Sequence, residues 1–143
     1  MRHFETMMQT KVFSGHFESL PAIGDFVIEA AQAAGLDESA VYAVQLAVDE
    51  AATNVIEHAY RGMEPGNLEC GCEILPDGLK IVLKDYGRPF SPDEIPEPET
   101  NAPLEDVKPR GLGLFFMRKM MDDMRFEFSE KNGNRLIMIK RKK

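Results

Sequence analysis

Two periodicities run through this chain. From Val41 to Gly62 the period is helical: at about 100° per residue, Val41, Val44, Val48, Val55 and Ala59 form one apolar stripe. Opposite it, Glu50, Asn54, Glu57 and Arg61 share one wall within about 40° of Glu50, with His58 at its edge. The spacing predicts a long helix lying on a core, capped by Asp37 or Ser39 and stopped at Gly62, with Pro65 and Gly66 beyond. Before it, Gln9 to Phe17 reads as a strand, and Pro21 to Ala34 as a helix with Ser19 as cap candidate, proline near its start and Gly35 at its end.

Beyond Gly66 the period changes to two. Asn67 to Leu75 puts Leu68, Cys70, Cys72 and Ile74 on one face and Glu69, Gly71 and Glu73 on the other, a half-buried strand. Pro76-Asp77-Gly78 supplies a turn, with glycine accepting φ > 0, and Leu79, Ile81 and Leu83 continue the buried face on the next strand. Asp85 extends that apolar row. A buried acid is costly unless something donates to it, so Asp85 is either hydrogen-bonded internally or available to a ligand. Gly87 follows, where backbone can approach a flat ligand closely.

Arg88 to Arg110 holds six of the nine prolines and six acids, with neither period; loops this long are functional or disordered. GLGLFFMRKMMDDM then reads as a two-glycine entry into an apolar helix ending near Asp122. Alternating Met124, Phe126 and Phe128, the Asn132-Gly133 turn and a strand from Arg135 to Lys140 make a hairpin.

Composition narrows the classes. The 143 residues fit one domain, spanning the chain with a short tail at 1–8, and 43% hydrophobic content is ordinary for a globular protein. No apolar run reaches the roughly 20 residues of a membrane span, and MRHFETMMQT lacks the apolar core of a signal peptide, so the cytoplasm is expected. A net charge of -7 repels a phosphate backbone and points to protein or small-ligand partners rather than nucleic acid. The basic run Lys140 to Lys143 is expected to be a solvated terminus. Cys70 and Cys72, two apart on a strand with α-carbons about 6.6 Å apart, suit neither a disulfide nor a metal site and are expected to be reduced core thiols.

Three pieces remain, and each suits one part of a nucleotide. Helix N-termini offer free amides and a positive dipole end to phosphates, and Gly111 and Gly113 let oxygens come close. Asp85 can accept from an adenine amino group. Asn54 offers a neutral oxygen to Mg²⁺, which keeps several waters and is shared with phosphates. Glu50, one turn away, can act on a nucleophile beside the metal.

In order and spacing, EAATNVIEHAY, DYGRPFSP and GLGLFFMRKMMD resemble the N, G1 and G2 boxes of the GHKL (gyrase, histidine kinase, MutL) ATPase superfamily, and most of all its bacterial anti-sigma regulatory serine/threonine kinases. NGNRLIMIKR resembles the closing strand, so the likeness covers roughly Ser19 to Lys140. It implies the Bergerat α/β sandwich, with helices on one face of a mixed, largely antiparallel sheet. It further implies Glu50 as general base, Asn54 as Mg²⁺ ligand, and Asp85 and Gly87 on adenine. Gly111 and Gly113, with the amides of Arg110, Leu112 and Leu114, would cradle the phosphates, and residues 88–110 would form a lid over ATP. The implied substrate is a serine or threonine of an anti-sigma antagonist, the alternate partner is a sigma factor, and a homodimer fits the family.

Two departures shape this expectation. Arg88-Pro89-Phe90 follows Gly87 where many superfamily members carry a second glycine, which favours the anti-sigma branch. No phosphoacceptor-histidine helix precedes the first box, so His58 is expected to be structural. A binding module in which ATP gates a partner surface without phosphoryl transfer is the alternative function. A degenerate, non-binding member is opposed by the intact Glu50, Asn54, Asp85, Gly87, Gly111 and Gly113.

Overall fold

The computed structural model describes residues 8–60, 64, 66–88, 109–129 and 131–143, with backbone alone for 109–114. Strand β1 (Gln9–Ser14) leads through a 3₁₀ turn to helix α1 (Leu20–Ala33), helix α2 (Glu38–Asn54) and a π-helical turn at Val55–Ala59. Strands β2 (Asn67–Leu75) and β3 (Gly78–Asp85), helix α3 (Pro109–Met120), and strands β4 (Asp123–Ser129) and β5 (Gly133–Arg141) complete it. The sheet order is β1-β2-β3-β5-β4 and all four pairings are antiparallel, so the mixed sheet expected from the resemblance is uniformly antiparallel among the described residues.

Alternation decides which side of the sheet is dry. Leu68, Cys70 and Cys72 of β2, Leu79, Ile81 and Leu83 of β3, and Leu136 and Met138 of β5 are buried under the helices. Against them α1 lays Ile23, Val27 and Ala31 at four-residue spacing, and α2 lays Val44, Ala47, Val48, Ala51 and Ala52. The result is the two-layer α+β sandwich that the resemblance implies. No helix of the described residues is long and apolar enough to cross a membrane.

Several boundaries differ from expectation, each for a local reason. β1 stops at Ser14, and Ser19 does not cap α1: it is itself helical, with φ -80 and ψ -17, and its hydroxyl pairs with that of Ser14 at 2.9 Å. Asp37 is the cap of α2, its carboxylate accepting from the Ala40 amide at 2.8 Å. Gly78 needs no positive φ; a side chain there would collide with the Lys140 carbonyl. Gly133, at φ +83, does provide the left-handed residue of its hairpin. α3 begins at Pro109, so Gly111 and Gly113 lie within the helix rather than ahead of it. Cys70 and Cys72 are buried free thiols, and the bond from Cys72, with burial, holds the Cys70 thiol far above its usual pKa. The basic terminus is less frayed than expected, since Lys142 donates its amide to the Asp77 carbonyl at 2.6 Å. Residues 89–108, most of the expected lid, lie outside the described residues, as does Arg61.

Candidate functional site

A cleft of about 490 Å³, counting its solvent-open mouth, lies between the C-terminal end of α2, α3 and the ends of β3 and β5. Its walls are apolar: Ala51, Val55, Leu83, Met117, Phe126 and Leu136. Its polar lining is the more accessible Arg88 and Arg135 and the deeper Asn54, Asp85 and Asn134. Asn54 and Asp85 are each 7% exposed and Asn134 is 8% exposed, and these three are the buried polar residues among those described.

Register brings Asp85 there. It continues the helix-facing row of Leu79, Ile81 and Leu83, flanked by Leu68 on β2 and Asn134 on β5. Oδ1 accepts from the Gly87 amide at 2.9 Å and from Asn134 Nδ2 at 3.0 Å, and the same Asn134 nitrogen donates to the Gly87 carbonyl at 2.9 Å. Among the described residues Oδ2 carries no hydrogen bond. Both alternatives for Asp85 are therefore met at once, one oxygen held internally and the other left to the cleft. Burial raises its pKa above the ordinary carboxylate value, opposed by the bonds from Asn134 and Gly87.

Asn54 reaches the cleft as the last α-helical residue of α2. The π-helical turn after it breaks the single helix expected from Val41 to Gly62 and re-aims the residues beyond Asn54. Its last carbonyl, that of Ala59, accepts from the Arg88 amide at 2.6 Å, and a side chain at Gly87 would strike that same carbonyl. Gly87 is thus required by a backbone neighbour, where the sequence suggested a ligand.

Glu50 is half-buried and stands outside the apolar lining, one turn back from Asn54. Burial, then the charges of Asp49 and Glu57, hold its carboxyl above the ordinary range, the direction that suits a group taking a proton near neutral pH. Glu57 is exposed, and His58 Nε2 lies 3.5 Å from its carboxylate, an edge position in keeping with a structural histidine. Arg110 to Leu114, with Gly111 and Gly113, form the opening turns of α3, whose later turn supplies Met117 to the cleft. Only the first turn of a helix leaves amides unpaired, which includes Gly111 and excludes Gly113.

The sequence reading missed Asn134 and Phe126 as site residues. Asn134 was findable, being a polar residue two before Leu136 in an otherwise apolar row.

The donor set can be set against a nucleotide with Mg²⁺. An apolar slot ending in a carboxylate with one open oxygen fits a planar base bearing an amino group. No cluster of three His, Cys, Asp or Glu side chains exists among the described residues, so a cation held wholly by protein has no cage there. Mg²⁺ shared with phosphates needs only one or two protein oxygens, and the Asn54 amide, with no bond among the described residues, can supply one.

Residues 13–140 match the family described as Histidine kinase-like ATPase domain. The chain is 35% identical over 100 residues to an anti-sigma F factor of Clostridium novyi, covering 70% of each protein. It is 32% identical over 114 residues to a serine-protein kinase RsbW of Listeria innocua, covering 77% of this chain and 71% of that one. To the serine-protein kinase RsbW of Halalkalibacterium halodurans it is 35% identical over 101 residues, covering 68% of this chain and 60% of the relative.

Proposed function

The chain belongs to the histidine kinase-like ATPase domain family, and from that premise we propose that it is an ATP-dependent serine/threonine protein kinase and anti-sigma factor. The observation that carries this reading is the concentration of the buried polar residues Asn54, Asp85 and Asn134 in one apolar cleft. Among the described residues Arg135 Nε is the one fully buried side-chain polar atom without a partner, so the open oxygens of Asp85 and Asn54 face the solvent of the cleft, where a nucleotide can meet both.

Each residue then has a task. Asp85 accepts from the adenine amino group, and Asn134 and the Gly87 amide hold that carboxylate in place. The amides opening α3, from Arg110 and Gly111, receive phosphate oxygens, with Leu112, Gly113 and Leu114 carrying the helix away from them. Asn54 contributes an oxygen to Mg²⁺, which when bound neutralises phosphate charge during transfer. Glu50 takes the proton from the attacking serine or threonine hydroxyl; the new bond joins that oxygen to the γ-phosphorus as the bond to ADP breaks. The acceptor is a serine or threonine on an anti-sigma antagonist, the sequestered partner is a sigma factor, and the place of action is the cytoplasm, where sigma factors work.

The test is incubation of the protein with labelled ATP, Mg²⁺ and candidate antagonist domains, with mass spectrometry of the products. Label on one serine or threonine is the expected result. ATP and sigma-factor binding with no transfer to any antagonist would replace the kinase by an ATP-gated binding protein.

A further inference from the structure

Asp85 is the last residue of β3 paired with β2, and a side chain from outside both strands bonds to the backbone of each just beyond that point. The β2–β3 register pairs Leu68 with Asp85, and the next rung would pair Asn67 with Tyr86. That rung is not closed directly. The Tyr60 hydroxyl stands in it, accepting from the Tyr86 amide at 3.1 Å and donating to the Asn67 carbonyl at 2.7 Å. Both backbone groups are satisfied by a hydroxyl that can donate and accept at once.

The tyrosine is firmly seated. It is 6% exposed, and a Cβ on Gly66 would stand 2.8 Å from its hydroxyl, while one on Gly15 would stand 3.2 Å from its ring. Gly15 and Gly66 are themselves joined by an amide-carbonyl bond of 2.8 Å. Burial keeps the Tyr60 pKa above its ordinary value, so the hydroxyl retains its proton and its donor role at neutral pH. The Tyr86 side chain is exposed, its hydroxyl 3.4 Å from Glu69 and its ring under Lys84, and the hydrogen bond that Tyr60 makes with residue 86 is to the backbone amide.

Just past this wedge the chain makes its cleft-forming turn, from Asp85 through the Gly87 amide to the Arg88–Ala59 bond. Without the hydroxyl, the Asn67 carbonyl and Tyr86 amide would be left unpaired, and the simplest repair closes the rung directly. That repair draws residue 86 towards β2 and its neighbour Asp85 with it.

We infer that Tyr60 is a specificity-positioning residue: its hydroxyl holds β3 off β2 at the last rung and so sets Asp85 where the site distinguishes a 6-amino from a 6-oxo purine. The inference rests on the nucleotide reading above. Tyr60 touches no substrate in this role and acts through Asp85.

The test compares ATP with inosine triphosphate, each with Mg²⁺, by calorimetry on the wild type, Tyr60→Phe and Asp85→Asn, with folding followed by circular dichroism. The wild type should prefer ATP by about tenfold or more, the worth of one charge-assisted bond. Tyr60→Phe should lose most of that preference by weakening ATP while inosine triphosphate stays within about twofold. A general loss of stability would lower both nucleotides together and leave the ratio intact. A folded Tyr60→Phe protein that keeps the wild-type preference while Asp85→Asn loses it overturns the inference and spares the adenine assignment. A preference kept in Asp85→Asn overturns the adenine assignment, and the inference with it. Hydrogen exchange of the wild-type Tyr86 amide gives a second reading that needs no variant. Slow exchange supports the wedge, and exchange at the rate of an open loop overturns it.

Discussion

The two ends of the sandwich manage their polar groups in opposite ways. At the end where β3 begins, Gly78 pairs with both Leu75 and Arg141, and the ladder is closed. Arg141 spans Asp77 at 2.7 Å and Asp123 at 3.2 Å, its amide meets Asp122, and all four side chains are exposed. At the end where β3 finishes, the last rung is held open by a tyrosine, and an acid and two amides are buried together. Exposed ion pairs cost little and stabilise little, whereas buried polar groups cost folding free energy unless something completes them. The closed end is therefore a piece of architecture, while the open end pairs Asp85 Oδ1 with Asn134 and the Gly87 amide and leaves the second Asp85 oxygen facing the cleft, where a ligand can meet it.

The contrast breaks most readily at Glu50, just behind the open end. Glu50→Gln keeps size and hydrogen bonding but cannot take a proton, so phosphoryl transfer should fall by roughly 10²–10⁴-fold while ATP affinity barely moves. Because burial, Asp49 and Glu57 raise its pKa, the acid limb of the wild-type rate profile should lie above the ordinary glutamate value of 4.5 and vanish in the variant. Asn54→Ala should instead lose Mg²⁺-dependent ATP binding together with transfer, and titration calorimetry separates the two. Wild-type transfer by Glu50→Gln would remove Glu50 as the base.

Asp85→Asn carries the next effect. Losing a charge-assisted bond worth roughly 1.5–3 kcal/mol should weaken ATP about tenfold or more. Its stability should move the other way. The folded-state pKa of Asp85 is raised above 3.8, so its contribution is fully present below that pH and is lost as pH rises through the folded value. Asp85→Asn should thus melt no lower than the wild type at pH 7, and any advantage should fade below about pH 4, as thermal unfolding across pH would show.

The smallest effect belongs to the closed end. Arg141→Ala should lower Tm slightly, with the difference disappearing as salt approaches about 1 M, where screening acts within about 3 Å. ATP affinity and transfer should be unchanged. A change in either would mean that the two ends are coupled, and the comparison would need redrawing.

Much of the fold was legible because its signals are local. Alternation in Leu68, Cys70 and Cys72 needs only the two-residue pleat, and the Asn132-Gly133 turn needs only a residue that accepts positive φ. Spacing also placed Asn54 and Asp85 on the right elements, since each occupies a fixed position relative to an apolar row. Sequence alone thus determined the elements, their inward faces and the residues with chemistry to offer.

Tertiary structure decided what those residues do to one another. Whether Asp85 is paired or open depends on Asn134, 49 positions away, and sequence separation carries no distance until strands are in register. The helix from Val41 onward turns π at Val55, and the Ala59 carbonyl at its end, which has no partner within the helix, accepts from the Arg88 amide, a neighbour that sequence spacing does not reveal. Tyr60 shows the same limit most sharply. Its ring could be counted as apolar from the sequence, but that its hydroxyl would replace a rung between two strands is decided only by where three separate backbones meet.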